Sequence, residues 1–203
     1  MNYFVTAIHT DSGKTLVSAI LCEALAADYW KPVQAGFPTD SDTVAQLISN
    51  TSTKIHPEAY LLKMPASPHA SAKAEGIEIE RENFILPSTN RDLVIEGAGG
   101  CLVPLNNDFF VIDLIDKFKG EVILVSNLYL GSINHTLLTV EALKNRNINI
   151  RGIIFNGESN PESESIILAT TKLPLLLRIE REAIITKEVV QRYAQQLKKN
   201  LHV

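Results

Sequence analysis

The stretch from Phe4 to Thr15, FVTAIHTDSGKT, runs from an apolar segment through a polar turn into Gly13, Lys14 and Thr15 at the head of a helical pattern. Strand, turn and helix N-terminus in that order are the setting of a phosphate-binding loop. There, backbone N–H groups cradle phosphate, a lysine reaches the outer phosphates and the next hydroxyl holds magnesium. Lys14 and Thr15 stand at the last two of these positions, but the strict spacing G-x-x-x-x-G-K-[ST] fails because its first position is Ile8. On these residues alone, a phosphate loop and a polar turn that happens to spell GKT both stay open.

Outward from this stretch, apolar runs of strand length alternate with segments of helical period. The expected strands are Tyr3–Ile8, Tyr29–Val33, Asp92–Glu96, Glu121–Ser126, Arg151–Asn156 and Pro174–Ile179. The expected helices are Thr15–Ala27, Asp42–Ser49, Phe109–Phe118, Ile133–Asn145, Glu162–Thr171 and Lys187–Lys199. Strands such as EVILVS and RGIIF are apolar nearly throughout, as a sheet covered on both faces requires. This predicts an open, doubly wound α/β fold with a mainly parallel sheet and helices on both faces, P-loop NTPase-like if Gly13–Thr15 is a phosphate loop. No repeat, low-complexity tract or linker divides the chain, so residues 1–203 are expected to form one domain.

Composition narrows the function classes. With 45% hydrophobic and 21% charged residues and a net charge of -4, the chain lacks the basic surface that nucleic-acid backbones demand. No apolar run is long enough to span a membrane, and the N-terminus lacks the pattern of a secretion signal. Cys22 and Cys101 have no metal-binding spacing and sit in apolar surroundings, so two buried reduced thiols and a cytoplasmic location are expected.

In this fold class ligands gather at the carboxyl ends of the strands, so the residues after each apolar run are the candidates. After the second comes WKPVQAG with Lys31, which alone reads equally as a side chain reaching the surface. TDSDTV follows, where Ser41 or Asp40 is the expected helix cap and Asp42 serves either the helix terminus or magnesium. After the third comes VIEGAGG. There Glu96 can supply an oxygen to magnesium, and Gly97, Ala98, Gly99 and Gly100 let the backbone approach a ligand closely.

Together these segments resemble the dethiobiotin synthetase family. The likeness rests on GKT, KPVQAG, Ser41-Asp42, SPHASA from Ser67, VIEGAGGCLVPL from Val94, YLGSINHTLLT from Tyr129 and GIIFNG from Gly152. It implies ATP-dependent closure of a ureido ring from 7,8-diaminononanoate and CO2, with ATP as co-substrate and Mg2+ as cofactor. It further implies that Asp11, Ser12, Gly13, Lys14, Thr15 and Leu16 wrap the phosphates and that Thr15, Asp42 and Glu96 surround the metal. Lys31, Lys14 and Thr10 are the implied catalytic groups, and Gly97, Ala98 and Gly99 border substrate and nucleotide. Asn156, Gly157 and Glu180 fall at the adenine. Ala35, Leu130, Gly131 and Asn134 fall at the substrate, whose carboxylate end is bound partly by the second subunit of a homodimer.

Several positions depart from that family. Its loop commonly reads G-T-D-T-x-V-G-K-T, against which Ala7, Ile8, His9 and Ser12 are changes; Ala35 replaces a hydroxyl residue and Glu180 a proline. Alanine at position 7 costs about 1 kcal/mol if φ there is positive, and merely crowds the phosphates if φ is negative. His9 in place of an acid either favours phosphate binding or disturbs a metal or amine contact. His69 and His135 read as packing or helix-end residues, and His56 carries no functional signal. Two alternatives stay open: a partitioning-type P-loop ATPase, whose extra early lysine is missing between Val5 and Ser12, and a catalytically impaired paralogue.

Overall fold

The computed structural model describes residues 1–201; His202, which carries no functional signal in the sequence, and Val203 lie outside the described residues. The chain runs β1 (Asn2–Ala7), α1 (Lys14–Leu25), β2 (Asp28–Trp30), β3 (Val33–Ala35), α2 (Asp40–Leu47), β4 (Ile55–His56), β5 (Tyr60–Leu62) and α3 (Pro68–Ala74). It continues through β6 (Leu93–Gly100), α4 (Val111–Phe118), β7 (Glu121–Asn127), α5 (Ser132–Lys144), β8 (Ile150–Asn156), α6 (Pro161–Thr171), β9 (Leu175–Ile179) and α7 (Lys187–Leu201). The main sheet has seven strands in the order β4-β2-β6-β1-β7-β8-β9, every neighbouring pair parallel.

Side-chain alternation along the strands divides the interior into two layers. Tyr3, Val5 and Ala7 of β1 pack with α1, α2 and α7, whereas Phe4 packs with α4, α5 and α6. Each fully buried apolar side chain contributes about 1.5–3 kcal/mol. A one-residue slip of β1 would exchange these faces, so packing on both sides fixes its register. The helices that follow β1 and β6 thus lie on opposite faces, and the crevice between these strands is where such a sheet binds ligand.

Two expectations change. The strand expected at Tyr29–Val33 is split between β2 and β3, because Pro32 has no N–H for the ladder. The carbonyl of Pro32 instead accepts from the N–H groups of Ala59 and Tyr60, at 3.0 and 3.1 Å, and β3 pairs with β5 in a separate two-stranded sheet. The glycine-rich run expected to follow the third strand is part of it. β6 continues to Gly100, and register jumps from Val5 opposite Glu96 to Ala7 opposite Gly100, which bulges Gly97, Ala98 and Gly99 out of the ladder.

Cys22 and Cys101 are both buried and unpaired. Among the described residues, no helix is long and apolar enough to cross a membrane.

Candidate active site

Lys14 caps the carboxyl end of the sheet because Gly13 turns the chain into α1. Gly13 has φ 95°, a left-handed value that glycine adopts without a Cβ penalty. A Cβ there would collide with the Asn156 amide, whose Nδ2 donates to the Ser12 carbonyl at 2.9 Å. Ser12, buried, directs its hydroxyl to the His9 carbonyl at 3.0 Å and to Asn127 Oδ1 at 2.7 Å. The loop is therefore held by the ends of β7 and β8. Asp11 also has a positive φ, 59°, but Ala7 does not: it is a buried strand residue, so the alanine imposes no left-handed strain.

The loop forms one wall of a cleft of about 760 Å³, ample for a triphosphate and a small second substrate. Thr10, Asp11, Gly13, Lys14, Thr15, Lys31, Ala35, Glu96, Ala98 and Gly99 of the expected site all line it. At its floor Lys31 Nζ lies 2.6 Å from Asp40 Oδ2, 3.0 Å from Glu96 Oε1 and 3.1 Å from the Gly97 carbonyl that the bulge turns inward. Although burial opposes its charged form, Glu96 and Asp40 hold the Lys31 ammonium above its ordinary pKa. Burial likewise opposes the charged form of Asp40, yet Lys31 keeps its carboxyl below the usual range. Lys14 has no such carboxylate contact, and burial, reinforced by the charge of Lys31, lowers it to about 8.

The expected metal acid is corrected here. Asp42 is exposed and does not line the cleft; Asp40 does. Thr39, rather than Ser41 or Asp40, caps α2 by accepting from the Asp42 N–H at 3.0 Å. Asp40 is then the first helical residue, its N–H bound at 3.1 Å by Gln34 Oε1, and its carboxylate turns back over the sheet.

The Thr15 hydroxyl lies 2.9 Å from Asp40 Oδ1 and 3.0 Å from Glu96 Oε1. A hydroxyl carries one proton, so it can donate to only one of these oxygens at a time. One hydroxyl and two carboxylates converging at one end of the cleft are the hard-oxygen donor chemistry of a small divalent cation such as magnesium. Among the described residues no group of three or more His, Cys, Asp or Glu side chains is placed to hold a metal, so further oxygens must come from ligand or water.

Comparison with known proteins gives the same direction. The pattern of the family described as AAA domain matches residues 1–189. The chain is 62% identical over 197 residues to the ATP-dependent dethiobiotin synthetase of Cytophaga hutchinsonii, covering 96% of each. It is 50% identical over 202 residues to that of Christiangramia forsetii, covering 98% of this chain and 97% of the relative. The chain belongs to the dethiobiotin synthetase family. The solved ParA family ATPase from Chlorobium tepidum is similar in fold alone, with a TM-score of 0.63 at 15% identity over 100% of this chain and 99% of that one.

The remaining positions expected from the dethiobiotin synthetase family lie outside the cleft. Ser12 ties the loop to Asn127, Leu16 packs against the core on the α1 side, and Gly97 contributes its carbonyl. Gly157 has φ 100°, and its carbonyl accepts from Arg178 Nη2 at 2.8 Å; Arg178 also bonds the Ile179 carbonyl at 2.8 Å. Glu180 is largely exposed beside Arg178. Leu130, Gly131 and Asn134 are exposed at the start of α5, far from the floor in sequence and not among its lining residues. His9 does not face the lysines. It lines an adjoining groove with Ile8, Cys101 and Leu138, its ring edge-on to Tyr129 at a centroid distance of 6.1 Å.

Three residues of the site were not read as functional in the sequence: Asp40, expected only as a helix cap, Gln34, and Tyr29, the last of which donates to Glu96 Oε2 at 2.9 Å. Reading Thr39 as the cap would have found Asp40, since the cap fixes which acid stands at the first helical position. Tyr29 carries no such signal; its hydroxyl meets Glu96 only because β2 and β6 are neighbours.

Proposed function

We propose that the chain is an ATP-dependent ligase that carboxylates 7,8-diaminononanoate with CO2 and closes the ring of dethiobiotin, releasing ADP and phosphate. The observation that carries this reading is Lys31, a buried ammonium held between Asp40 and Glu96 beside the phosphate loop. Membership of the dethiobiotin synthetase family supports the same reaction.

One amine of the substrate captures CO2 as a carbamate, whose oxygen must then attack the terminal phosphate of ATP. Two anions have to meet, so charge neutralisation and positioning carry the catalysis. Lys31 holds the carbamate, Lys14 and the loop N–H groups hold the phosphates, and Thr10 stands at the reacting end of the same cleft. Phosphorylation turns the carbamate oxygen into a leaving group; the second amine then attacks the carbonyl carbon, the C–N bond closes the ring and phosphate departs. Thr15, Asp40 and Glu96 are the residues that would hold magnesium, which when bound would draw charge from the terminal phosphates.

The base is read near Asn156, Gly157 and Glu180. With Asn156 Nδ2 given to Ser12, its Oδ1 is the atom that remains for an amino group of adenine. The substrate's carboxylate end meets Leu130–Asn134 of the second subunit in a homodimer. Two features support this: α5 has Gly131 as its N-cap residue and so no side-chain cap, leaving N–H groups for an anion, and Leu130, Leu138 and Leu102 are exposed apolar residues. The described residues, 1–201, act as a single domain, and the enzyme works in the cytoplasm.

Phosphate release measured with ATP, magnesium, bicarbonate and the diamine, each omitted in turn, tests the reaction. Release is expected only with all four. Release that ignores the diamine, or full turnover in a folded Lys31→Met variant, refutes it.

A further inference from the structure

Glu96 is fully buried, and its two oxygens are treated differently by the fold. Oε1 faces Thr15 and Lys31, while Oε2 faces only the hydroxyl of Tyr29, at 2.9 Å. Tyr29 lies in β2 and Lys31 directly after its last residue, and both reach Glu96; Tyr29 lies opposite Val94, two residues before Glu96 on β6. The tyrosine ring is itself fully buried between the sheet and α1. The carboxyl torsion of a glutamate is broad, and its two oxygens are equivalent, so the side chain itself does not fix the tilt of the carboxylate plane in the cleft.

We propose that Tyr29 is a positioning residue for the phosphate site: by donating to one oxygen of Glu96 it fixes the plane of the carboxylate, so that a single oxygen is presented to Thr15, Lys31 and a divalent cation. The proposal deepens the functional reading above and rests on Glu96 serving that cation. A buried tyrosine also needs an acceptor simply to satisfy its hydroxyl, and that purely structural role makes a different prediction. Loss of a structural hydrogen bond lowers stability and leaves metal affinity alone. Loss of a positioning bond behind a metal-holding group weakens the metal.

The test is Mn2+ binding to the ADP-loaded protein, followed by electron paramagnetic resonance, in the wild type, Tyr29→Phe, Glu96→Gln and the double variant. Phe keeps the ring and removes only the hydroxyl. The expected result for Tyr29→Phe is a Mn2+ dissociation constant raised about 10-fold, the lower end of what loss of a partner behind a metal ligand costs. In the Glu96→Gln background the added Phe should change nothing. Unchanged Mn2+ affinity in folded Tyr29→Phe, or an equal loss with and without Glu96, overturns the proposal. Should Tyr29→Phe not fold, the unsubstituted protein gives the answer. A 13C label on the Tyr29 ring carbon bearing the hydroxyl is expected to shift when Mg2+ is added to the ADP complex, and a resonance that stays in place overturns the proposal. Neither readout needs turnover. A chain that binds Mn2+ as expected yet does not consume the diamine would keep Tyr29 in this role while refuting the reaction.

Discussion

Lys31 Nζ lies 2.6 Å from Asp40 Oδ2, and Asp42, two residues on, points away into solvent. This relationship separates two acids that the sequence offers side by side. Asp40→Asn should lower turnover on the order of 100-fold or more, the scale of losing one preorganised charged group at a reacting phosphate. Asp42→Asn should stay within about twofold, as exposed substitutions away from a site do. Initial rates across a magnesium titration check both, and equal losses would remove Asp40 from the proposed site.

Ala7 is a fully buried strand residue without a positive φ. Restoring the glycine commonly found there in the family should therefore destabilise the protein, by about 0.5–1 kcal/mol, because glycine loses more backbone freedom in a strand. Urea denaturation measures this, with turnover expected to change little. A large gain in turnover in Ala7→Gly would mean that the methyl group obstructs the phosphates.

The architecture was legible because its strands are apolar throughout and its helices carry the 3.6-residue period; both signals are local. The same holds for Lys14 and Thr15, which sit where strand becomes helix. Failures came where a long-range or single-residue choice decided the geometry. Pro32 ended one strand and diverted the chain into a second sheet, although the run around it is apolar. Thr39 took the helix cap from its neighbours and so exchanged Asp42 for Asp40. The bulge at Gly97–Gly99 depends on how β1 and β6 register, and no spacing within either segment specifies it.

Burial, the largest cause, pushes the Lys14 ammonium down to about 8. The folded value lies below the unfolded 10.5, so between these limits the unfolded chain binds more protons and this group makes stability rise with pH. Below about pH 8 the lysine is charged in both states, and its burial is a constant penalty. Phosphate favours the ammonium form, so nucleotide binding above that pH must take up a proton. ADP affinity should consequently fall as pH rises from 8 towards 10, by at most about tenfold per unit. Calorimetry at pH 8.5 in buffers of different ionisation enthalpy should report proton uptake, and Lys14→Met should abolish it. Uptake of equal size in that variant would assign the proton to another group.

Gly13 is constrained twice, by its φ of 95° and by the Asn156 amide that fills the space where a Cβ would go. Gly13→Ala should thus lose nucleotide binding, with a stability cost exceeding the roughly 1 kcal/mol of a strained φ alone. Removing the obstacle separates the two contributions. In the double variant Gly13→Ala, Asn156→Ala the collision is gone but the φ cost remains, and the bond from Asn156 to the Ser12 carbonyl is lost as well. If the collision dominates, Gly13→Ala should cost less stability in the Asn156→Ala background than in the wild type. Thermal and urea unfolding of the four proteins in this cycle measure the coupling directly. Strict additivity would show that Asn156 yields to the methyl group, leaving backbone conformation as the reason for glycine at this turn.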